Sequence, residues 1–146
     1  MRVLAFDLGH RRTGVAVSDA SGVLARPLEV VHGTSLRNQW TALLAVIARF
    51  RTEDEDLAAV VVGVPKRLDG SATDFTPAAL DFIERLSKKL PVPVVPLDER
   101  LTSVEAESLL ARRERDWARR KANLDAAAAA VLLQEYLDTH PRMTLT

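Results

Sequence analysis

The chain has 146 residues and a mass of 16.1 kDa, which at the usual ~100 to 200 residues per domain leaves room for one domain and one core. With 47% hydrophobic and 27% charged residues it is composed like an ordinary globular protein, and twenty Lys and Arg against twenty Asp and Glu leave no global charge to attract a polyanion. The absence of cysteine excludes a disulfide scaffold, thiolate metal ligands and a cysteine nucleophile, and it fits a reducing compartment.

Arg2 to Asp7 and Gly14 to Ser18 are short β-type runs separated by a turn at Gly9, which predicts two antiparallel strands. A third strand is expected from about Val23 to Val31, after the turn signal Asp19-Ala20-Ser21-Gly22, completing a meander. From Ser35 the period changes: Leu36, Trp40, Leu43, Leu44 and Ile47 recur at helical spacing, and Glu53 to Asp56 closes that helix in an acidic loop. Leu57 to Val64 is continuously apolar and predicts a strand covered on both faces. Asp69-Gly70 marks a loop, and Thr76-Pro77 starts a helix with Leu80, Ile83 and Leu86 inward, ended by Pro91 and Pro93. Val94 to Leu97 reads as another buried strand, Thr102 to Glu105 as a capping box, and about Asn123 to Asp138 as the last helix. Alternating strands and helices in the second part imply right-handed parallel crossovers, hence an α/β fold with a mixed sheet. The longest apolar runs, Leu57 to Val62 and Ala126 to Leu133, fall short of the ~18 residues of a membrane span. Met1 to Asp7 offers too short an apolar stretch for a signal peptide, so no membrane partner and a cytoplasmic location are expected.

Three acids stand where such a fold gathers chemistry. Asp7 ends the first strand, Glu99 ends the last, and Asp125 is expected in the first turn of the final helix. Singly, each has an ordinary explanation: a turn residue before Gly9, a surface pair with Arg100, a favourable charge at a helix N-terminus. Ala126 to Ala130 strip bulk from the helix beside Asp125 and would let it approach the sheet, although alanine also simply favours helix. Without cysteine and with only three histidines, hard oxygen ligands are what the chain best offers a metal, favouring Mg²⁺ or Mn²⁺.

The segments Phe6-Asp7-Leu8-Gly9-His10-Arg11-Arg12-Thr13-Gly14, Val62-Gly63-Val64-Pro65 with Asp69-Gly70, Asp98-Glu99-Arg100-Leu101-Thr102-Ser103, and Lys121 with Asp125-Ala126-Ala127 occur in order along the chain. In this the chain resembles, from residue 2 to about 138, the YqgF family: bacterial RNase H-like proteins related to Holliday junction resolvases and assigned to maturation of the small-subunit ribosomal RNA precursor. The resemblance implies one RNase H-like nuclease domain over residues 1–146, with a five-stranded mixed β-sheet flanked by α-helices and a divalent-metal site. It implies Asp7, Glu99 and Asp125 as catalytic metal ligands, with Asp7 central. Asp98 is left out because adjacent strand residues point to opposite faces. Related resolvases carry a further acid on the last helix; here the third and fourth positions after Asp125 are Ala128 and Ala129.

Arg112 to Lys121 holds six basic residues, Arg112, Arg113, Arg115, Arg119, Arg120 and Lys121, around Trp117, a pattern suited to a phosphate backbone with one stacked base or, alternatively, to a solvated helix extension. Arg12, Lys66, Arg67 and Arg100 extend the expected nucleic-acid surface, while Trp40 reads as core and His10, His32 and His140 lack ligand spacing. The preferred function is metal-dependent hydrolysis of phosphodiester bonds in 5′-end maturation of pre-16S rRNA. The alternatives are resolution of four-way DNA junctions, which needs a symmetric dimer, and a non-catalytic nucleic-acid-binding role in ribosome assembly or transcription. The expected partners are structured rRNA precursor or branched DNA, and the chain is expected as a monomer or a homodimer.

Overall fold

The strand Arg2–Asp7 (β1) turns Leu4 and Phe6 to one side and Val3 and Ala5 to the other, and all four are at most 2% exposed. A strand buried on both sides must lie inside a sheet with both faces covered. The computed structural model, which describes residues 1–52, 56–66, 69–98 and 117–140 (117–125 by backbone alone), places β1 at the centre. Around it lie Arg12–Ser18 (β2), Ala25–His32 (β3), Leu57–Val64 (β4) and Val94–Asp98 (β5) in the order β3-β2-β1-β4-β5. The expected meander is present, since β1–β2 and β2–β3 pair antiparallel; β1–β4 and β4–β5 pair parallel. The parallel strands are reached through helices Leu36–Arg49 (α1) and Thr76–Lys89 (α2), because a parallel connection needs a crossover.

Helices α1 and α2 cover one face, where Leu43, Ile47, Phe82 and Leu86 pack on Leu4, Phe6, Val15 and Val62. The last helix, Trp117–Thr139 (α3), covers the other, where Ala129, Leu132 and Leu133 meet Val3, Ala5, Ala16 and Val61. Each fully buried Leu or Phe of these layers contributes about 1.5–3 kcal/mol relative to an exposed one.

Four local expectations are corrected. Leu80 is 49% exposed; the inward stripe of α2 is Ala79, Phe82, Ile83 and Leu86, which satisfies the same helical spacing. β5 is a half-buried edge strand, and Pro96, which donates no ladder hydrogen bond, fits such an edge. β3 starts at Ala25, because Asp19 Oδ1 accepts from the amides of Val23 (2.9 Å) and Leu24 (3.3 Å) and holds them in the turn. α3 starts at Trp117, so Asp125 is its ninth residue, and the macrodipole of a first turn does not account for it. The expected acidic loop at 53–55 and helix start at 102–105 lie outside the described residues.

Candidate functional site

β1, β4 and β5 are parallel, so their carboxyl ends open on one edge of the sheet. Asp7, half-buried, is the last residue of β1. Alternation puts it with Val3 and Ala5 on the face covered by α3. Its cross-strand partner on β2 is Gly14, and one step past the last β1–β4 pair, Phe6–Val62, stands Gly63. The positions directly opposite Asp7 on the two adjacent strands are thus glycines, which keep side-chain bulk away from its immediate flanks.

The loop after Asp7 is built tightly. A Cβ on Gly9 would lie 2.3 Å from the Arg12 carbonyl oxygen, so the turn closes only without one. Gln39, fully buried on α1, reaches across to this loop. Its Oε1 accepts the Thr13 hydroxyl, and its Nε2 donates to the carbonyls of Gly9 (3.1 Å) and His10 (3.3 Å). The Gly33 amide donates to the Arg11 carbonyl (2.9 Å), and a Cβ on Gly33 would meet Gln39 Cγ at 2.8 Å. Asp7 therefore sits on a mount fixed from both sides.

Gln134 defines how α3 crosses the sheet. Its Oε1 accepts from Ala25 N and its Nε2 donates to Val23 O, each at 2.9 Å, where β3 begins. That end of the sheet also holds the start of β1, since Ser18, paired with Ala25, accepts the Val3 amide at 2.8 Å. The helix packs over β2, β3 and β1. Buried Ala126 to Ala130 make the close approach feasible.

Asp98 pairs with Val64 and shares the α1 and α2 face with Val94, opposite Asp7, whereas Val95 and Leu97 pack toward α3. Arg12 is exposed at the start of β2, on the Asp7 face by alternation with Gly14 and Ala16. Lys66 is exposed just past β4, bridged to Ala72. Asp69 accepts from Ser71 N (2.8 Å) and Oγ (2.6 Å), and Gly70 has φ 90°, so this motif is a turn. Trp117, Arg119, Arg120, Lys121 and Asp125 are placed in α3 by backbone alone. Glu99, Arg67, Arg100, Arg112, Arg113 and Arg115 lie outside the described residues. Among the described residues, no three His, Cys, Asp or Glu side chains are grouped to hold a metal, and no helix is long and apolar enough to cross a membrane.

Sequence reasoning missed Gln39. Its signal was present: it lies three residues after Leu36 and four before Leu43, on the inward stripe where a polar side chain needs a buried partner.

Comparison with known proteins gives a consistent result. The model of the family RuvX, described as Holliday junction resolvase, matches residues 1–139. Relatives named "Putative pre-16S rRNA nuclease" include one from Desulforamulus reducens, 34% identical with 95% of this chain and 98% of that one covered. Others are from Halothermothrix orenii (36%, covering 94% and 95%) and Thiobacillus denitrificans (40%, covering 93% and 90%). The solved structure of T. thermophilus RuvC in complex with Holliday junction substrate matches with TM-score 0.57 at 21% identity, over 97% of this chain and 96% of that one. The shared architecture is an RNase H-like fold.

Proposed function

The chain belongs to the RuvX family, and from that premise we propose that it is a divalent-metal-dependent nuclease that hydrolyses phosphodiester bonds in 5′-end maturation of pre-16S rRNA. We take residues 1–146 as one nuclease domain acting in the cytoplasm as a monomer or homodimer. The observation that carries the reading is Asp7, held at the carboxyl end of the central strand between Gly14 and Gly63, on the face that α3 approaches through alanines.

Asp7, Glu99 and Asp125 would form the ligand set. The fit is chemical: carboxylate oxygens are hard donors, and the glycines beside Asp7 leave it room for partners. Mg²⁺ or Mn²⁺, when bound there, supplies Lewis-acid polarisation of a phosphoryl oxygen and lowers the pKa of a coordinated water. The protein's own residues hold the strand. Three carboxylates repel a polyanion, so the cations around them must offset that repulsion. Arg12 and Lys66 flank the Asp7 edge, and Arg67, Arg100, Arg112, Arg113, Arg115, Arg119, Arg120 and Lys121 would extend the basic track, with Trp117 stacking on an unpaired base. Gln39 and Thr13 keep the loop after Asp7 from yielding when the substrate presses on it.

Cleavage of a labelled rRNA precursor with Mg²⁺ or Mn²⁺ tests the reading. Asp7→Asn should abolish cleavage while leaving folding and RNA binding intact; wild-type activity in that variant overturns the assignment. The family description favours a second reading, resolution of four-way DNA junctions. Paired symmetric nicks on such a junction, without cleavage of the precursor, would select it.

A further inference from the structure

On the α1 and α2 side of the same sheet edge lies a cavity of about 510 Å³ that the metal chemistry leaves unused. Its size is that of a small-ligand site, for which ~300–1,000 Å³ is usual. The walls are aromatic: His10 and Phe75 have ring centroids 4.1 Å apart, and Trp40 and Phe82 meet edge-on at 5.3 Å. The rim is cationic, with exposed Arg37 and Arg85 against, among the described residues, the one carboxylate of Asp81, and the Arg85 guanidinium is 5.8 Å from the centroid of the Trp40 ring. His10 follows Asp7 by three residues, so their Cα atoms are at most about 11 Å apart. The carbonyl of His10 is held by Gln39, which gives cavity and Asp7 one common mount.

We propose that this cavity binds one unpaired nucleotide of the substrate strand, adjacent to the cleaved bond, with the base against the aromatic wall and its phosphate on Arg37 and Arg85. The inference rests on the nuclease reading for the identity of the strand. A ring-lined wall stacks any base, because every base has a π-face, and guanidiniums on the rim match phosphate oxygens. A base can enter only outside a duplex stack, since the cavity accommodates one nucleotide and not a base pair in its helix. The pocket thus selects substrates with a single-stranded flank at the site of cleavage.

The test uses the full chain carrying Asp7→Asn and Trp117→Phe, which stops cleavage and leaves Trp40 as the reporting tryptophan of the chain's two. A single-stranded RNA tetranucleotide and adenosine monophosphate should both quench Trp40 emission, whereas a blunt RNA duplex should do so at roughly tenfold or higher Kd. Adding Arg37→Ala with Arg85→Ala, both at exposed positions, should weaken the tetranucleotide about tenfold or more with an unchanged circular dichroism spectrum. In the chain with Asp7 intact, the same arginine pair should raise KM for a flanked substrate and leave kcat. No quenching, quenching indifferent to the arginine pair, or a blunt duplex bound as tightly as the tetranucleotide overturns the proposal. Quenching as expected beside a wild-type chain that cleaves nothing would instead remove the nuclease reading and spare the pocket.

Discussion

The hydroxyl of Thr13 on β2 donates to the side-chain carbonyl of Gln39 on α1, and both residues are fully buried. One amide thereby ties a helix, a strand and the loop that follows Asp7. Gln39→Leu keeps the volume but strands the Thr13 hydroxyl and the Gly9 and His10 carbonyls. It should cost roughly 2–4 kcal/mol in urea denaturation, because buried polar groups without partners bear their full desolvation penalty. Its kcat for precursor cleavage should fall more than its affinity for RNA; full activity would show that the mount is dispensable.

Gly9→Ala should be destabilising by roughly 1–3 kcal/mol, since the added carbon would stand 2.3 Å from the Arg12 carbonyl oxygen and the backbone must shift. Thermal melting gives the magnitude. Amide exchange should rise across the loop from Leu8 to Arg12 before it rises in β4.

Glu99→Gln and Asp98→Asn should separate sharply. Under the proposed ligand set, losing one carboxylate removes several kcal/mol of transition-state stabilisation, so Glu99→Gln should lower cleavage by about 100-fold or more. Asp98 lies on the opposite face of β5 from the α3 side, and its amide variant should keep the wild-type rate. Equal losses in the two variants would contradict the assignment of Glu99.

Ala129 is fully buried between α3 and the sheet. Ala129→Leu should force the helix outward, costing roughly 1–3 kcal/mol by denaturation and depressing cleavage further than stability alone explains. Glu135→Ala, at an exposed position of the same helix, should change stability by no more than about 0.5 kcal/mol.

The amide of Val23, donating to the Asp19 carboxylate, leads in holding that group below its ordinary value of 3.8; desolvation, the next influence, opposes it, and Ser21 Oγ and the Leu24 and Gly22 amides add to the lowering. A depressed carboxylate stabilises the fold above its unfolded pKa and loses that contribution as pH falls through the folded one. The melting temperature should therefore drop as pH falls below 3.8, and Asp19→Asn should make that part of the profile flatter. An unchanged profile would mean that the turn does not depend on the charge.

Local periodicity was enough to find β1, β2, β4 and both crossover helices, because alternation and the 3.6-residue repeat are written within each segment. The ordered Asp-x-Gly, Asp-Glu-Arg and Asp-Ala-Ala segments pointed to the family for the same reason: each is a short run whose residues stand together in the chain. Where periodic signals were ambiguous, the reading slipped, as with Leu80 and the start of α3. Tertiary structure alone decided that Asp7 shares the α3 face while Asp98 does not, that Gln39 spends its amide on the Asp7 loop, and that Trp40 borders a cavity with Arg85. Those relationships join residues dozens of positions apart. They follow from how layers stack and registers align, which no single segment encodes.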